Sequence, residues 1–268
     1  MNQCRIGVVG CGGRMGRMLI AEIAATDGAV VSGGTEHAAG LLGRDLGELA
    51  GSGPLGVVAG ADPAALVAAS DVIIDFTAPD ATVRHAELAA AHGKALVIGT
   101  TGIDAAQTRA IEAAARQAPI VWSPNMSLGV NLLMGLVEQV AARLGPDYDI
   151  EILEMHHRLK VDAPSGTALG LGRAAAAGRG QPLEDIWIKS RDGHTGAREA
   201  GTIGFATLRG GDVVGDHTVL FAGLGERLEL THKASDRRIY ARGAVRAALW
   251  AKGRAPGLYG MKDVLGLR

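Results

Sequence analysis

The sequence predicts an α/β protein whose first part is a parallel sheet covered by helices and whose second part is an α+β segment. Three observations point there. Short β-branched runs alternate with alanine-rich segments over about the first 125 residues. That rhythm then stops, and four extended runs follow with no helices between them. A final helical segment closes the chain. Strand–helix alternation means parallel strands buried on both faces. Extended runs in direct succession mean a mixed or antiparallel sheet.

The first part reads in order as follows. Arg5–Val9 is a buried strand and Gly13–Ala25 the helix after it. Ala29–Gly33 is a second strand. Gly40–Gly60 contains seven glycines and reads as loop, interrupted by a short apolar piece at Val57–Ala59. Asp62–Ala69 is a short helix, with Asp62 as N-cap and Pro63 at its first helical position. Val72–Asp75, Ala95–Ile98 and Ile120–Trp122 are strands, separated by helices at Pro79–Ala91 and Ile103–Arg116. In the second part Val130–Leu144 is a long helix ended by Gly145-Pro146. Ile150–Met155 is a strand and Ser165–Ala177 a helix. Ile186–Arg191, Thr202–Leu208, Asp216–Ala222 and Glu226–Thr231 are strands. Arg237–Lys252 is the closing helix. These elements place a boundary near Asn125 and a return near Ser235. The first domain is 1–126, with 236–268 packing back on it, and the second is 127–235.

Composition narrows the function classes. Lys+Arg number 27 against 28 Asp+Glu, a net charge of −1, so no basic field exists for nucleic acid. Aromatics are 3% while glycine reaches 40 residues, so the core is aliphatic and alanine-rich and many sites need a bare backbone. Two cysteines, Cys4 and Cys11, form no disulfide framework and no zinc ribbon. The opening MNQCRIGVVGCGG lacks the apolar run and cleavage site of a signal peptide, and no apolar stretch is long enough to span a membrane. The expectation is a soluble cytoplasmic protein with no nucleic-acid partner and no membrane partner.

The first strand runs into Gly10-Cys11-Gly12-Gly13-Arg14-Met15-Gly16. Such a turn leaves free N–H groups at a helix start, where they and the helix dipole suit a pyrophosphate. The last glycine lies one position later than in G-x-G-x-x-G, and glycine-rich turns of this kind also occur without a ligand. Dinucleotide folds add an acidic residue about 20 positions on, which bonds the ribose hydroxyls. Glu36 is 20 residues after Gly16. Read alone it is a solvated loop acid; together the two features predict a Rossmann-type dinucleotide-binding domain. The turns Asp75–Ala78, Gly99–Gly102 and Ser123–Met126 stand at strand ends, where ligands of such sheets sit.

The second part carries Glu154-Met155-His156-His157-Arg158-Leu159-Lys160, then Val161-Asp162-Ala163-Pro164-Ser165-Gly166-Thr167-Ala168. His156, His157 and Lys160 form a cationic cluster ahead of a small-residue helix start that can hold a carboxylate. That pairing suits a dicarboxylate substrate; the plainer alternative is a solvated basic loop. Adjacent histidines on extended chain face opposite ways, so they make poor joint metal ligands, and no metal is expected.

With these strings, and with Gly201–Ala206, Gly215–Thr218 and Thr231–Ser235, the chain resembles the 4-hydroxy-tetrahydrodipicolinate reductase family, also called dihydrodipicolinate reductase, over essentially its whole length. The resemblance implies a homotetramer of lysine and diaminopimelate biosynthesis that reduces a cyclic dicarboxylate with NADH or NADPH. It implies His156 as the acid/base residue and Lys160 as proton donor. It places substrate carboxylates on His157, Ser165, Gly166 and Thr167. It places the cofactor on Gly10, Cys11, Gly12, Gly13, Arg14, Met15, Glu36, Gly99, Thr100, Thr101, Ser123, Pro124, Asn125 and Met126. His37 stands where many members carry arginine beside the strand-two acid, so the choice between NADH and NADPH stays open. Two other classes share parts of the pattern: another dinucleotide dehydrogenase with a similar second domain, and a non-catalytic NADH sensor. The latter needs a basic recognition segment, which the sequence lacks.

Overall fold

The computed structural model describes residues 3–267. They fall into two compact units, one built from the chain up to Leu128 and from Arg238 onward, the other from Gly129–Arg237.

The first unit opens β1 (Cys4–Val9), α1 (Arg14–Ala24) and β2 (Ala29–Thr35). A single 3₁₀ turn, Ala39–Leu41, precedes α2 (Leu46–Ala50) and β3 (Ala59–Gly60). Then follow α3 (Pro63–Ala69), β4 (Val72–Asp75), α4 (Pro79–His92), β5 (Ala95–Ile98), α5 (Ala105–Ala115) and β6 (Pro119–Trp122). The chain continues through α6 (Leu128–Arg143) into the second unit. That unit holds β7 (Asp149–His156), α7 (Gly166–Gly178), α8 (Leu183–Ile186), β8 (Trp187–Ile188), β9 (Ile203–Arg209), β10 (Gly215–Gly223) and β11 (Glu226–Ala234). α9 (Arg238–Ala251), β12 (Gly257–Tyr259) and α10 (Met261–Leu265) return to the first.

All seven strands of the first sheet pair in parallel, in the order β12-β6-β5-β4-β1-β2-β3. Order reverses between β1 and β4, the switch point where ligands of open α/β sheets bind. Both faces are covered, which explains the unbroken apolar runs in β4 and β5. On one face Leu19, Ile20 and Ile23 of α1 and Ala244, Val245 and Ala248 of α9 pack on Ile6, Val8, Val72, Ile74 and Val97. On the other, Leu66, Ala86, Ala89, Ile111 and Ala114 from α3, α4 and α5 pack on Val9, Ile73, Leu96, Ile98 and Ile120.

The second sheet is mixed, in the order β11-β10-β7-β9-β8. β7, β8 and β9 run parallel, while β10 is antiparallel to both β7 and β11. Ile150, Ile152, Ile203, Phe205, Val219 and Phe221 face α6 and α7. The opposite face carries Leu153 and Leu208, both exposed, with Met155 and Leu220 partly so.

Two expectations are corrected. The glycine-rich Gly40–Gly60 segment is not all loop. Asp45 Oδ1 accepts from the N–H groups of Gly47 and Glu48 and so caps α2, and its carboxylate also takes Leu55 and Gly56 N–H. The expected strand Ile186–Arg191 shrinks to Trp187–Ile188, because Pro182 opens a helical turn through Ile186 and only Ile203 and Gly204 offer strand partners.

Candidate active site

The turn after β1 is shaped for close approach. Gly10 holds φ +67°, which favours glycine. A Cβ on Gly16 would lie 2.2 Å from Gly10 O and 2.7 Å from Cys11 Cα, so only glycine lets α1 start this close to the strand. Gly13 N-caps α1 with no side-chain bond, and the first turn contains no acidic residue. The helix start is therefore left to a ligand or to water. At the end of β2, Glu36 Oε2 accepts from Gly12 N at 2.9 Å and Oε1 from His37 N at 2.8 Å. Burial pushes this carboxyl up, but the backbone N–H groups of His37, Gly12 and Ala38 outweigh it and hold it below the usual carboxylate range. These groups fit a dinucleotide: an uncapped helix N-terminus for pyrophosphate and an ionised carboxylate at the second strand for ribose.

The other strand ends of this unit are tied to one another. Asp75, fully buried, accepts from Thr77 N and Oγ1 at 2.8 and 2.6 Å and pairs with His85 Nδ1 at 2.8 Å. Thr82 Oγ1 donates to Thr100 Oγ1 at 2.8 Å. A Cβ on Gly99 would fall 2.2 Å from the Phe76 ring, so the Gly99–Thr101 turn rests on that ring. Ser123 Oγ donates to Asn125 O at 2.8 Å, and Asn125 Oδ1 accepts from Ser127 N at 2.9 Å. Cys11 and Met126 point into the core, so a ligand meets their backbone; burial, then Glu36, pushes the Cys11 thiol up to about 11.

In the second unit the strand period of two puts Glu154 and His156 on the same face of β7. Glu154 is buried. Its Oε2 lies 2.5 Å from His156 Nδ1 and 2.8 Å from Arg209 Nη1. Its Oε1 accepts from Arg209 Nη2 at 3.0 Å, Ser165 N at 3.1 Å and Thr207 Oγ1 at 3.3 Å. Burial raises the Glu154 carboxyl, but Arg209 and His156 outweigh it and hold it low. Burial, with Lys160 and Arg209 adding to it, lowers His156 despite the raising effect of Glu154. The resting pair is thus a carboxylate and a neutral imidazole.

Around this pair lie the other polar groups. His217 packs edge-on to His156, with centroids 5.0 Å apart. Its Nε2 is 3.1 Å from Ser165 Oγ, and its Nδ1 is buried without a partner. Burial, then the neighbouring His156, pushes His217 down to about 4. Ser165 N-caps α7 by accepting from Ala168 N at 3.1 Å. Lys160 Nζ is 2.7 and 2.9 Å from the two oxygens of Asp162. Arg237 Nη2 donates to His157 Nε2 at 3.4 Å.

Comparison with known proteins agrees. The model of "Dihydrodipicolinate reductase, N-terminus" matches residues 4–126, and that of the C-terminus matches residues 129–265. The chain belongs to the dihydrodipicolinate reductase family. It is 58% identical over 268 residues to the 4-hydroxy-tetrahydrodipicolinate reductase of Afipia carboxidovorans, covering 100% of this chain and 98% of that one. The reductase of Beijerinckia indica is also 58% identical, with 100% and 99% coverage. Among solved structures, the dipicolinate-bound dihydrodipicolinate reductase from Paenisporosarcina sp. TG-14 aligns at TM-score 0.78 and 24% identity, covering 97% and 99% of the two chains. GenD2 in complex with NAD aligns at TM-score 0.60 and 14% identity, covering 100% and 91%, which is a likeness of fold.

Within this reductase fold, the second unit brings His156, Lys160, Ser165, Gly166 and Thr167 into one region, with His157 turned to Arg237. Ser165 spends its hydroxyl on the helix cap and its N–H on Glu154, and Gly166 is exposed at the first turn of α7. In the first unit Gly10–Met15 and Glu36 converge, and His37 is joined to Glu36 through its N–H; Arg14, Thr101 and Pro124 are exposed. Glu154, Arg209, His217, Asp75 and His85 carry no role in the sequence reading. Glu154 was within its reach, because spacing of two on a strand puts it beside His156. Arg209 and His217 needed the register that sets Arg209 opposite His156 and His217 opposite Glu154.

Proposed function

We propose that the protein is an oxidoreductase that converts 4-hydroxy-tetrahydrodipicolinate to tetrahydrodipicolinate in diaminopimelate and lysine biosynthesis, using NADH or NADPH. The observation that carries this reading is the ionised Glu154 bonded to a neutral His156, with Lys160 alongside and the α7 start nearby. It supports proton delivery to an anionic ring. Family membership and full-length relatives bearing this name support the substrate.

The turn Gly10–Met15, Glu36 and His37, Gly99–Thr101 and Ser123–Met126 would hold the dinucleotide. When bound, the nicotinamide supplies a hydride. The chain supplies the rest. Gly166, Thr167 and the His157–Arg237 pair orient the two carboxylates. As the substrate loses water and is reduced, negative charge develops on the ring, where Lys160 stabilises it electrostatically. Lys160 delivers the proton to the carbon beside the reduced one, and His156, neutral at rest, acts as acid only after its Nε2 has taken up a proton from water. Lys160 first exchanges Asp162 for the substrate. Asp162, held low by that lysine, is a leaving partner half exposed to water.

We also infer a cytoplasmic homotetramer. Two free buried cysteines fit a reducing compartment. No helix among the described residues is long and apolar enough to cross a membrane. The outer face of the second sheet, with Leu153 37% and Leu208 48% exposed, supports association through that unit. Light scattering after gel filtration reads the mass directly.

The test of function is an initial-rate assay with purified protein, fresh substrate and each cofactor. Cofactor oxidation that depends on the dicarboxylate is expected with both. Oxidation with neither, or only with an unrelated oxo acid, overturns the reading.

A further inference from the structure

We propose that Glu154 is the positioning residue that joins the proton-transfer group to the carboxylate-binding helix start, one oxygen fixing the His156 ring and the other fixing the Ser165 backbone. The proposal rests on the reductase reading only in assigning proton transfer to His156.

The geometry is specific. Glu154 is 1% exposed and receives five hydrogen bonds. Oε2 takes His156 Nδ1 and one Arg209 nitrogen; Oε1 takes Ser165 N, Thr207 Oγ1 and the other Arg209 nitrogen. Arg209 also donates to Asp162 O at 2.6 Å, so the same guanidinium ties down the loop that carries Lys160. A buried carboxylate this well bonded is rigid as well as charged.

Two consequences follow for chemistry. An ionised carboxylate only accepts, so the proton on His156 must sit on Nδ1. Nε2 is then the atom that exchanges a proton with substrate. It lies beside Gly215, where a Cβ would come within 2.9 Å, so glycine keeps that side open. The other consequence is register. Ser165 N–H, the last group before the helix, is pinned to the same carboxylate as the ring. The distance between proton donor and bound carboxylate is therefore set by one side chain, which is what efficient proton transfer requires.

Charge around His156 comes from every side. Glu154 lies on its own strand, Arg209 on β9, neutral His217 on β10 with His232 behind it on β11, and Lys160 with Asp162 on the following loop. Glu154 raises the proton affinity of His156, and Arg209 and Lys160 lower it. Removing Glu154's charge and removing Arg209's charge must therefore shift the ring in opposite directions, a signature that a merely structural role does not produce.

The experiment compares wild type, Glu154→Gln, Glu154→Asp and Arg209→Gln. Long-range ¹⁵N–¹H spectra of His156 report its tautomer without any assay. The Nδ1–H form is expected in wild type and a mixture in Glu154→Gln. In steady-state kinetics, Glu154→Gln should lower kcat at least about tenfold, below the full 10²–10⁴ of a general acid–base group. It should also raise KM for the dicarboxylate while the dissociation constant of NADH stays unchanged. The alkaline limb of the kcat profile, where the proton-donating His156 loses its proton, should move to lower pH in Glu154→Gln and to higher pH in Arg209→Gln, with Glu154→Asp restoring its position. A wild-type ring protonated on Nε2 alone, or limbs that do not separate, overturns the proposal, and the tautomer decides even if a variant fails to fold. A wild type that ignores the substrate but shows the Nδ1–H form would overturn the reductase reading and leave the positioning role standing.

Discussion

Each unit of this protein contains a buried carboxylate bonded to a histidine Nδ1: Asp75 with His85 in the parallel sheet, and Glu154 with His156 in the mixed one. The pairs look alike and differ in what surrounds them. Asp75 is sealed, and its remaining capacity goes to Thr77 and Thr100, which are backbone and hydroxyl groups of neighbouring turns. Glu154 is equally buried but is faced by Arg209, and its histidine has Lys160 and the uncharged His217 as neighbours. A carboxylate–histidine pair is thus not a catalytic signature in itself. On the proposed reading the adjacent cations fit one pair for proton transfer, while neutral hydroxyls fit the other as a strut beneath the strand ends.

The largest effect should come from breaking the second pair. His156→Ala and Lys160→Ala should each lower kcat by roughly 10²–10⁴-fold, while NADH titration stays near wild type, since neither residue is in the first unit. A variant with wild-type kcat at saturating substrate removes that residue from the chemistry.

The first pair should respond in stability instead. His85→Ala leaves Asp75 buried and unpaired, which costs about 3–5 kcal/mol in urea denaturation. Burial pushes the Asp75 carboxyl up, yet His85 and Thr77 outweigh it and hold it low. Its stabilising contribution is therefore present above the ordinary carboxylate range and lost as pH falls through the folded value. In His85→Ala the folded value of Asp75 rises toward or past the unfolded one, so this acid limb should shrink, with kcat near wild type. A collapse of kcat at unchanged stability would erase the contrast between the pairs.

His217 sharpens the comparison at lower pH. Its folded value is pushed down to about 4, so between the ordinary histidine value near 6.5 and 4 only the unfolded chain takes up this proton. Stability should fall as pH drops through that window, by about 3 kcal/mol in all. His217→Gln should flatten this limb in urea titrations at successive pH values. An unchanged limb assigns the acid sensitivity elsewhere.

The smallest effect concerns Glu36. Replacing it by Gln removes one charge facing the adenosine 2′ position. That should shift the ratio of NADPH to NADH affinity upward by about fivefold, the worth of roughly 1 kcal/mol at a solvated site. No change in the ratio means Glu36 does not face the 2′ position.

Much of the architecture was legible because it follows local rules. β4 and β5 of the first sheet carry unbroken apolar runs, and Asp62-Pro63 announces its helix. What escaped had long-range causes. Asp45 caps a helix inside a glycine-rich stretch, and its value as a cap depends on Leu55 and Gly56 folding back onto it. Ile186–Arg191 has strand-like residues but only two positions with a partner. Around the candidate site, the histidines and lysine were visible as a string. Arg209 lies 55 residues from Glu154 and enters only through strand register. The Asp75–His85 pair spans a turn between strand and helix that no periodicity covers.

The return of the chain to its first unit also sets the order in which the protein can be made. α9 supplies Ala241, Ala244, Val245, Ala247, Ala248 and Ala251 to the core beneath β1, β4 and β5, and β12 completes the sheet edge beside β6. A ribosome must first translate Gly129–Arg237, which takes about 5–20 seconds at bacterial elongation rates. During that interval α1 covers its part of that face of the nascent sheet and the part that α9 covers stays bare, while by its end the inserted unit has all its own strands. The inserted unit therefore matures first, and the dinucleotide fold is the last to close, after nearly the whole polypeptide has emerged.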